Sequence, residues 1–166
     1  MIDWLSTFFM KPKVYIETTV VSYLTARPSR DLVIAAHCEI TREWWIRRRS
    51  EFDLHASQLV LQESSAGDPQ MAEKRPEALD SIPLLDITDD ATALAEKLID
   101  AGPIPAKAAV DALHIATATV HGVDYLLTWT CKHIANAQMR KSLAVRCRAA
   151  GFELPVICTP EELLEE

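Results

Sequence analysis

The sequence predicts an α/β fold: a single-domain, three-layer α/β/α arrangement around a central parallel sheet of four to five strands. Three observations predict it. Short β-branched and aromatic runs alternate with longer stretches of helical patterning along the chain. Most of these runs are continuously apolar, as in "VYI" and "YLLTW", which suits strands buried on both faces. A length of 166 residues, 49% apolar and 25% charged, gives one domain a real core.

The elements follow in order. "VYI" (Val14–Ile16) is a compact buried strand that leads directly into Glu17. Ser29 is placed to cap a long helix running to about Arg49, with Leu32, Ile34, Ala35, Cys38 and Trp45 as core contacts. "FDLHAS" (Phe52–Ser57) is the second strand, and Ser57 caps a helix that Gly67 closes. Asp68-Pro69 reads as a fresh cap with proline at the first helical position. "IPLLDI" (Ile82–Ile87) is the third strand, and Thr88 caps a helix ended by Gly102. A helix from Ala106 to about His121 feeds the strand Tyr125–Trp129. The helix Ile134–Ala150 ends at Gly151, and "PVICT" (Pro155–Thr159) is the last strand. Thr159 and Glu162 make a capping box for a short terminal helix. One domain over residues 1–166 is expected, its regular core spanning about 13–160, with 1–10 a disordered or alternative-start extension.

Composition narrows the function. A net charge of −7 argues against broad, nonspecific binding to nucleic acid or an anionic membrane, although steering depends on local charge. Positive charge is dense in "REWWIRRR" and "QMRKSLAVRCR". The four cysteines are scattered without C-x-x-C spacing, which fits reduced thiols in a cytoplasmic protein and argues against a zinc site. No stretch approaches the ~20 apolar residues of a membrane span, and the apolar start lacks the basic segment of a signal peptide.

In parallel α/β folds, ligands bind past the carboxyl ends of the strands, at a topological switch point. Glu17 stands at the end of the first strand, and Glu63 lies in the helix after the second. Asp111 lies in the first turns of the helix before the fourth strand, in a run of Ala, Val, Leu and Ile where an uncompensated carboxylate is costly. Lys107 is one candidate partner for it, at i,i+4. If the first and fourth strands are neighbours, the three acids converge. Hard cations prefer carboxylate oxygens, so this set suggests a site for Mg2+ or Mn2+.

These residues resemble the PIN-domain ribonucleases and, within them, the VapC-type toxins of bacterial toxin–antitoxin pairs. The resemblance rests on "VYIETTVVSYL", "SQLVLQESSAGD", "AKAAVDALHIATA" and "VDYLLTWTCKHIAN", in the family's order and roughly its spacing, and covers Val14 to about Thr159. It implies a PIN-like parallel sheet flanked by helices, and clustered acids that bind divalent metal and cleave RNA. It further implies a homodimer and a small antitoxin protein as partner. Carried over, the acids are Glu17 (where most of the family has Asp), Glu63 and Asp111, with Thr18 placed to orient a ligand or water. The family's fourth position, Thr-x-Asp or Thr-x-Asn, here reads Thr128-Trp129-Thr130 and offers a neutral hydroxyl. Asp124 is no substitute, because it lies roughly 20 Å away at the strand's other end, at ~3.3 Å per residue.

The implied function is metal-dependent hydrolysis of RNA phosphodiesters, with the metal activating water and neutralising phosphate charge. The alternative is a catalytically weak PIN protein that binds RNA or a partner, because Thr130 replaces the fourth acid. A phosphoacceptor receiver domain is disfavoured: a single acid follows the first strand, and "CTPEEL" after the last contains no lysine. His114 reads more readily as a satisfied, partly buried histidine than as a catalytic one, while Lys132 and His133 read equally as phosphate contacts or as a solvated loop. Of Trp44 and Trp45, one is expected in the core and one at an interface, and Arg47–Arg49 read as a solvated helix end.

Overall fold

The computed structural model describes residues 10–100 and 102–165. Most of the extension expected over 1–10 therefore lies outside the described residues. Five strands, β1 (Lys13–Ile16), β2 (Asp53–Ser57), β3 (Leu84–Leu85), β4 (Tyr125–Leu127) and β5 (Val156–Cys158), form one sheet in the order β3-β2-β1-β4-β5. Every pairing is parallel. Strand order reverses at β1, whose neighbours are β2 on one side and β4 on the other, so the switch point lies between β1 and β4. The register sets Ile16 opposite Leu127, and the Glu17 N–H donates to the Leu127 carbonyl at 3.0 Å. The residues that follow β1 and β4 are thus held side by side.

Seven α-helices flank the sheet among the described residues: α1 (Thr18–Thr25), α2 (Leu32–Arg47), α3 (Gln58–Ser64), α4 (Pro69–Ala78), α5 (Asp89–Asp100), α6 (Ala109–Val120) and α7 (Ala137–Ala149). They pack as two groups, α1 against α2, α3 and α4, and α5 against α6 and α7, giving the expected three layers. Val14, Tyr15 and Ile16 of β1 and Leu126 and Leu127 of β4 are fully buried, the environment that continuously apolar strands require.

Several local rules hold as read. The Ser57 hydroxyl accepts from Val60 N–H and caps α3, Asp68 caps α4 with Pro69 at its first position, and the Thr88 hydroxyl accepts from Ala91 N–H. Thr159 and Glu162 form the capping box. Gly102 allows a close approach that no side chain would, since a Cβ there would lie 2.0 Å from the Leu98 carbonyl oxygen.

Other expectations are corrected. Helix α2 is capped by Asp31, not Ser29: the Asp31 carboxylate accepts from the N–H groups of Val33 and Ile34. Its first turn stands clear of the core, so Leu32 is 85% exposed and Ile34 38%, whereas Trp44 is fully buried. Helix α1 has no capping signal of the usual kind. It follows β1 without a loop, and Glu17 itself is its N-cap, accepting from Thr19 N–H. The helix expected from Ile134 begins at Ala137 with Asn136 as its cap, because turns occupy the preceding residues.

Candidate functional site

The acid ending β1 serves two purposes. Glu17 Oε2 accepts from Thr19 N–H at 3.1 Å, from the Thr19 hydroxyl, and from the Thr128 hydroxyl at 2.7 Å. The Thr130 hydroxyl stands 3.5 Å from the same oxygen. Glu17 is only 4% exposed, so its charge relies on these donors and on the N-terminus of α1. Glutamate is not a favoured N-cap, but its extra methylene lets one oxygen cap the helix while remaining beside β4. Asp124, at the amino end of β4, accepts from Lys13 N–H instead, far from this cluster.

The second acid comes from the opposite side of β1. Glu63, in the last turn of α3, accepts at Oε1 from the Thr18 hydroxyl at 2.7 Å and contacts His114 Nε2 at 2.5 Å. Burial opposes its charge, but the His114 contact and the Thr18 hydroxyl together outweigh it and hold the carboxyl below the ordinary glutamate value. His114 is fully buried, and its Nδ1 meets the Tyr15 hydroxyl at 2.8 Å. It is a satisfied histidine, as read from sequence, yet it belongs to the site. Glu17, Glu63 and His114 offer ligand atoms that all lie within 4.8 Å of one another.

Asp111 is not one of that trio. It lies one helical turn before His114 on α6, and its Oδ2 meets His133 Nδ1 at 2.9 Å. His133 supplies the compensation that its apolar helix demands. Lys107 does not, because it sits in a 3-10 turn (Ala106–Ala108) ahead of α6, where i,i+4 helix geometry does not apply. The structure thus brings Glu17, Glu63, Thr18 and Thr130 together, and Asp111 stands apart from that group, one helical turn before His114.

The sequence reading named both histidines but not their acid partners, which lie 51 and 22 residues away. One signal was available: Asp111 and His114 share a helix face at i,i+3. Trp44 is core, while Trp45 stacks under the Arg49 guanidinium at 4.1 Å from its ring centre, and Arg47 pairs with Glu43. This end of α2 is internally paired, as a solvated helix end would be. Lys132 is exposed beside His133.

The trio of Glu17, Glu63 and His114 is a group that could hold a metal ion. Among the described residues, Glu17 Oε1, Glu63 Oε2 and Asp111 Oδ1 accept no hydrogen bond, and none of these atoms is buried without a partner. Each acid therefore holds one oxygen in place through the protein and keeps the other available, which suits a hard cation.

No family model matches the sequence, and no curated protein matches it. The structure is similar to a chain of the crystal structure of VapBC2 from Rickettsia felis bound to a DNA fragment from their promoter, at 11% identity and a TM-score of 0.50. The match covers 89% of this chain and 98% of that one. The three-layer, PIN-like fold that the sequence resemblance implies is thus the fold of this chain, shared with a chain of the VapBC2 structure.

Proposed function

We propose that this protein is a divalent-metal-dependent endoribonuclease, the toxin of a toxin–antitoxin pair. The observation that carries the reading is the gathering of Glu17, Glu63 and His114 ligand atoms within 4.8 Å at the switch point between β1 and β4. The sequence resemblance and the fold shared with a chain of VapBC2 support it.

Glu17, Glu63 and Asp111 would hold Mg2+ or Mn2+ through their free oxygens. A bound cation supplies charge neutralisation for a phosphodiester and lowers the pKa of water. The chain's own residues do the placing. Thr19 and Thr128 fix Glu17, Thr18 and His114 fix Glu63, and His133 fixes Asp111. Among the described residues no side chain at the site is arranged as an independent nucleophile, so water would be the attacking group. The proposed partners are RNA as substrate, a small antitoxin protein and a second copy of the chain, in the cytoplasm. No described helix is long and apolar enough to cross a membrane.

A second reading rests on Thr130. A neutral hydroxyl beside Glu17 leaves the site one charge short of a fourth acid, which favours a module that binds RNA or a partner and cleaves weakly. One assay separates the two readings: incubation of mixed RNAs with Mg2+, Mn2+ or chelator, with RNA binding measured in parallel. Glu17→Gln is the control, because its amide oxygen still caps α1. Cleavage that needs metal and disappears in Glu17→Gln supports the nuclease. Binding without cleavage at any metal concentration supports the module. Cleavage indifferent to chelator refutes both.

A further inference from the structure

Behind the acids lies a buried polar chain that ends on His114, the residue that helps to fix Glu63. Ser57 Oγ stands 2.8 Å from the Tyr15 hydroxyl, which stands 2.8 Å from His114 Nδ1, and His114 Nε2 reaches Glu63 Oε1. Ser57, Tyr15 and His114 are all fully buried. We propose that Ser57, Tyr15 and His114 form a one-way donor chain that fixes His114 as its Nε2–H tautomer and so pins Glu63 by one oxygen. Its functional weight rests on the cation-site reading above, but the chain itself can be tested without any cation.

An inventory of hydrogens gives the direction. Val60 N–H already donates to Ser57 Oγ at 3.4 Å. The Ser57 hydrogen then goes to the Tyr15 oxygen, the Tyr15 hydrogen to Nδ1, and the Nε2 hydrogen to the Glu63 carboxylate. Every hydrogen finds an acceptor. In the reverse direction, Nδ1–H donates to Tyr15 and Tyr15 to Ser57, which strands the Ser57 hydrogen without an acceptor among the described residues. A neutral ring protonated at Nδ1 would also turn the Nε2 lone pair onto a carboxylate oxygen. Both faults arise where no solvent reaches. Burial, foremost, pushes the Tyr15 hydroxyl well above its ordinary range, so it keeps the hydrogen it must donate.

The chain also fixes the spacing of the two acids. Tyr15 lies two residues before Glu17 on the same strand segment, so Glu63 is referenced to the backbone that places Glu17. Ser57 contributes twice, capping the helix that carries Glu63 and starting the donor chain that orients its side chain. Tyr15, Ser57 and His114 are therefore positioning residues. The Thr18 hydroxyl shares Oε1 with His114, and Oε2 is left for a ligand.

The test begins with the cation-free protein. Long-range 1H–15N correlation of the His114 ring is expected to show a bare Nδ1 and a protonated Nε2, and a proton on Nδ1 overturns the proposal. In Tyr15→Phe, the single tautomer is expected to be lost and Mn2+ binding to weaken by about 10- to 100-fold, as is typical for outer partners of ligands. Unchanged Mn2+ affinity in a folded Tyr15→Phe overturns the positioning role. A wild type that shows the Nε2–H ring and takes no Mn2+ refutes the cation reading while supporting the donor chain.

Discussion

His133 Nδ1 stands 2.9 Å from Asp111 Oδ2, so the carboxylate that breaks the apolar run of α6 is answered from the segment following β4. Both side chains are mostly buried, at 15% and 23% exposed. Helix α6 can therefore carry an acid at its N-terminal turn, where the helix dipole also favours it, without a lysine on its own surface.

This pairing shapes the first prediction. In Asp111→Asn, the amide oxygen can still accept from His133, so the contact is kept in neutral form and stability should change by no more than about 1.5 kcal/mol, the net worth of one hydrogen bond. Metal-dependent RNA cleavage should be lost, since an amide is a poor ligand for a hard cation. Urea unfolding and a cleavage assay on the same preparation decide it. Undiminished turnover, with contaminating nuclease excluded, removes Asp111 from the site.

Thr130 tests the fourth position. Thr130→Asp would bring a second carboxylate to a place 3.5 Å from Glu17 Oε2. Without metal, the like charges should destabilise the protein by about 1–3 kcal/mol. With Mg2+ or Mn2+, affinity should rise and cleavage should persist at lower metal. Paired metal titrations of thermal stability and cleavage measure both effects. If neither moves, Thr130 does not act on the site.

Glu63 gives a pH dependence. Its carboxyl is held below the ordinary value of 4.5, because its partners outweigh the burial penalty. A depressed folded-state value adds stability above the unfolded value, and that stability disappears as pH falls through the folded value. In chelator, the stability gap between wild type and Glu63→Gln should therefore favour wild type near neutrality and narrow progressively below about pH 4.5. A gap that widens on acidification would contradict the assigned direction.

The thiols provide a check on packing. Cys131 is exposed, whereas Cys38, Cys147 and Cys158 are buried. Burial raises all three buried thiols, Cys158 to about 12. Alkylation of the native protein at mildly alkaline pH should modify Cys131 alone, with the other three reacting only after unfolding. Mass spectrometry of the labelled peptides reads this directly. Early labelling of Cys147 or Cys158 would show that α7 or β5 opens easily.

Much of this was legible because local rules and tertiary structure agree. Ser57, Asp68 and the Thr159–Glu162 box do in the fold what their sequence context implies. Helix α1 was not legible. Its opening residues, Thr18, Thr19, Val20 and Val21, are β-branched and poor helix formers, and burial of Val20 and Val21 overrides that preference. Leu32 and Ile34 misled in the other direction, since an apolar pattern cannot reveal that a helix's first turn projects beyond the core. At the site, Glu17 and Glu63 announced themselves by following strands, and Asp111 by interrupting an apolar helical run. The histidines that hold them are joined through the fold, and sequence distance hides such pairs.

The backbone bond from Glu17 to Leu127 has a consequence for how this chain can vary over evolutionary time. It extends the β1–β4 ladder by one rung, so Thr128 meets Glu17 by counting along the strand. Changes of side chain at Tyr125–Leu127 would alter packing by degrees. Inserting or deleting a single residue there would send Thr128 and Thr130 to the opposite face at once, because side chains alternate with a period of two. Lineages that keep this site should therefore differ in this segment by replacement at constant length, with insertions confined to the loops beyond it.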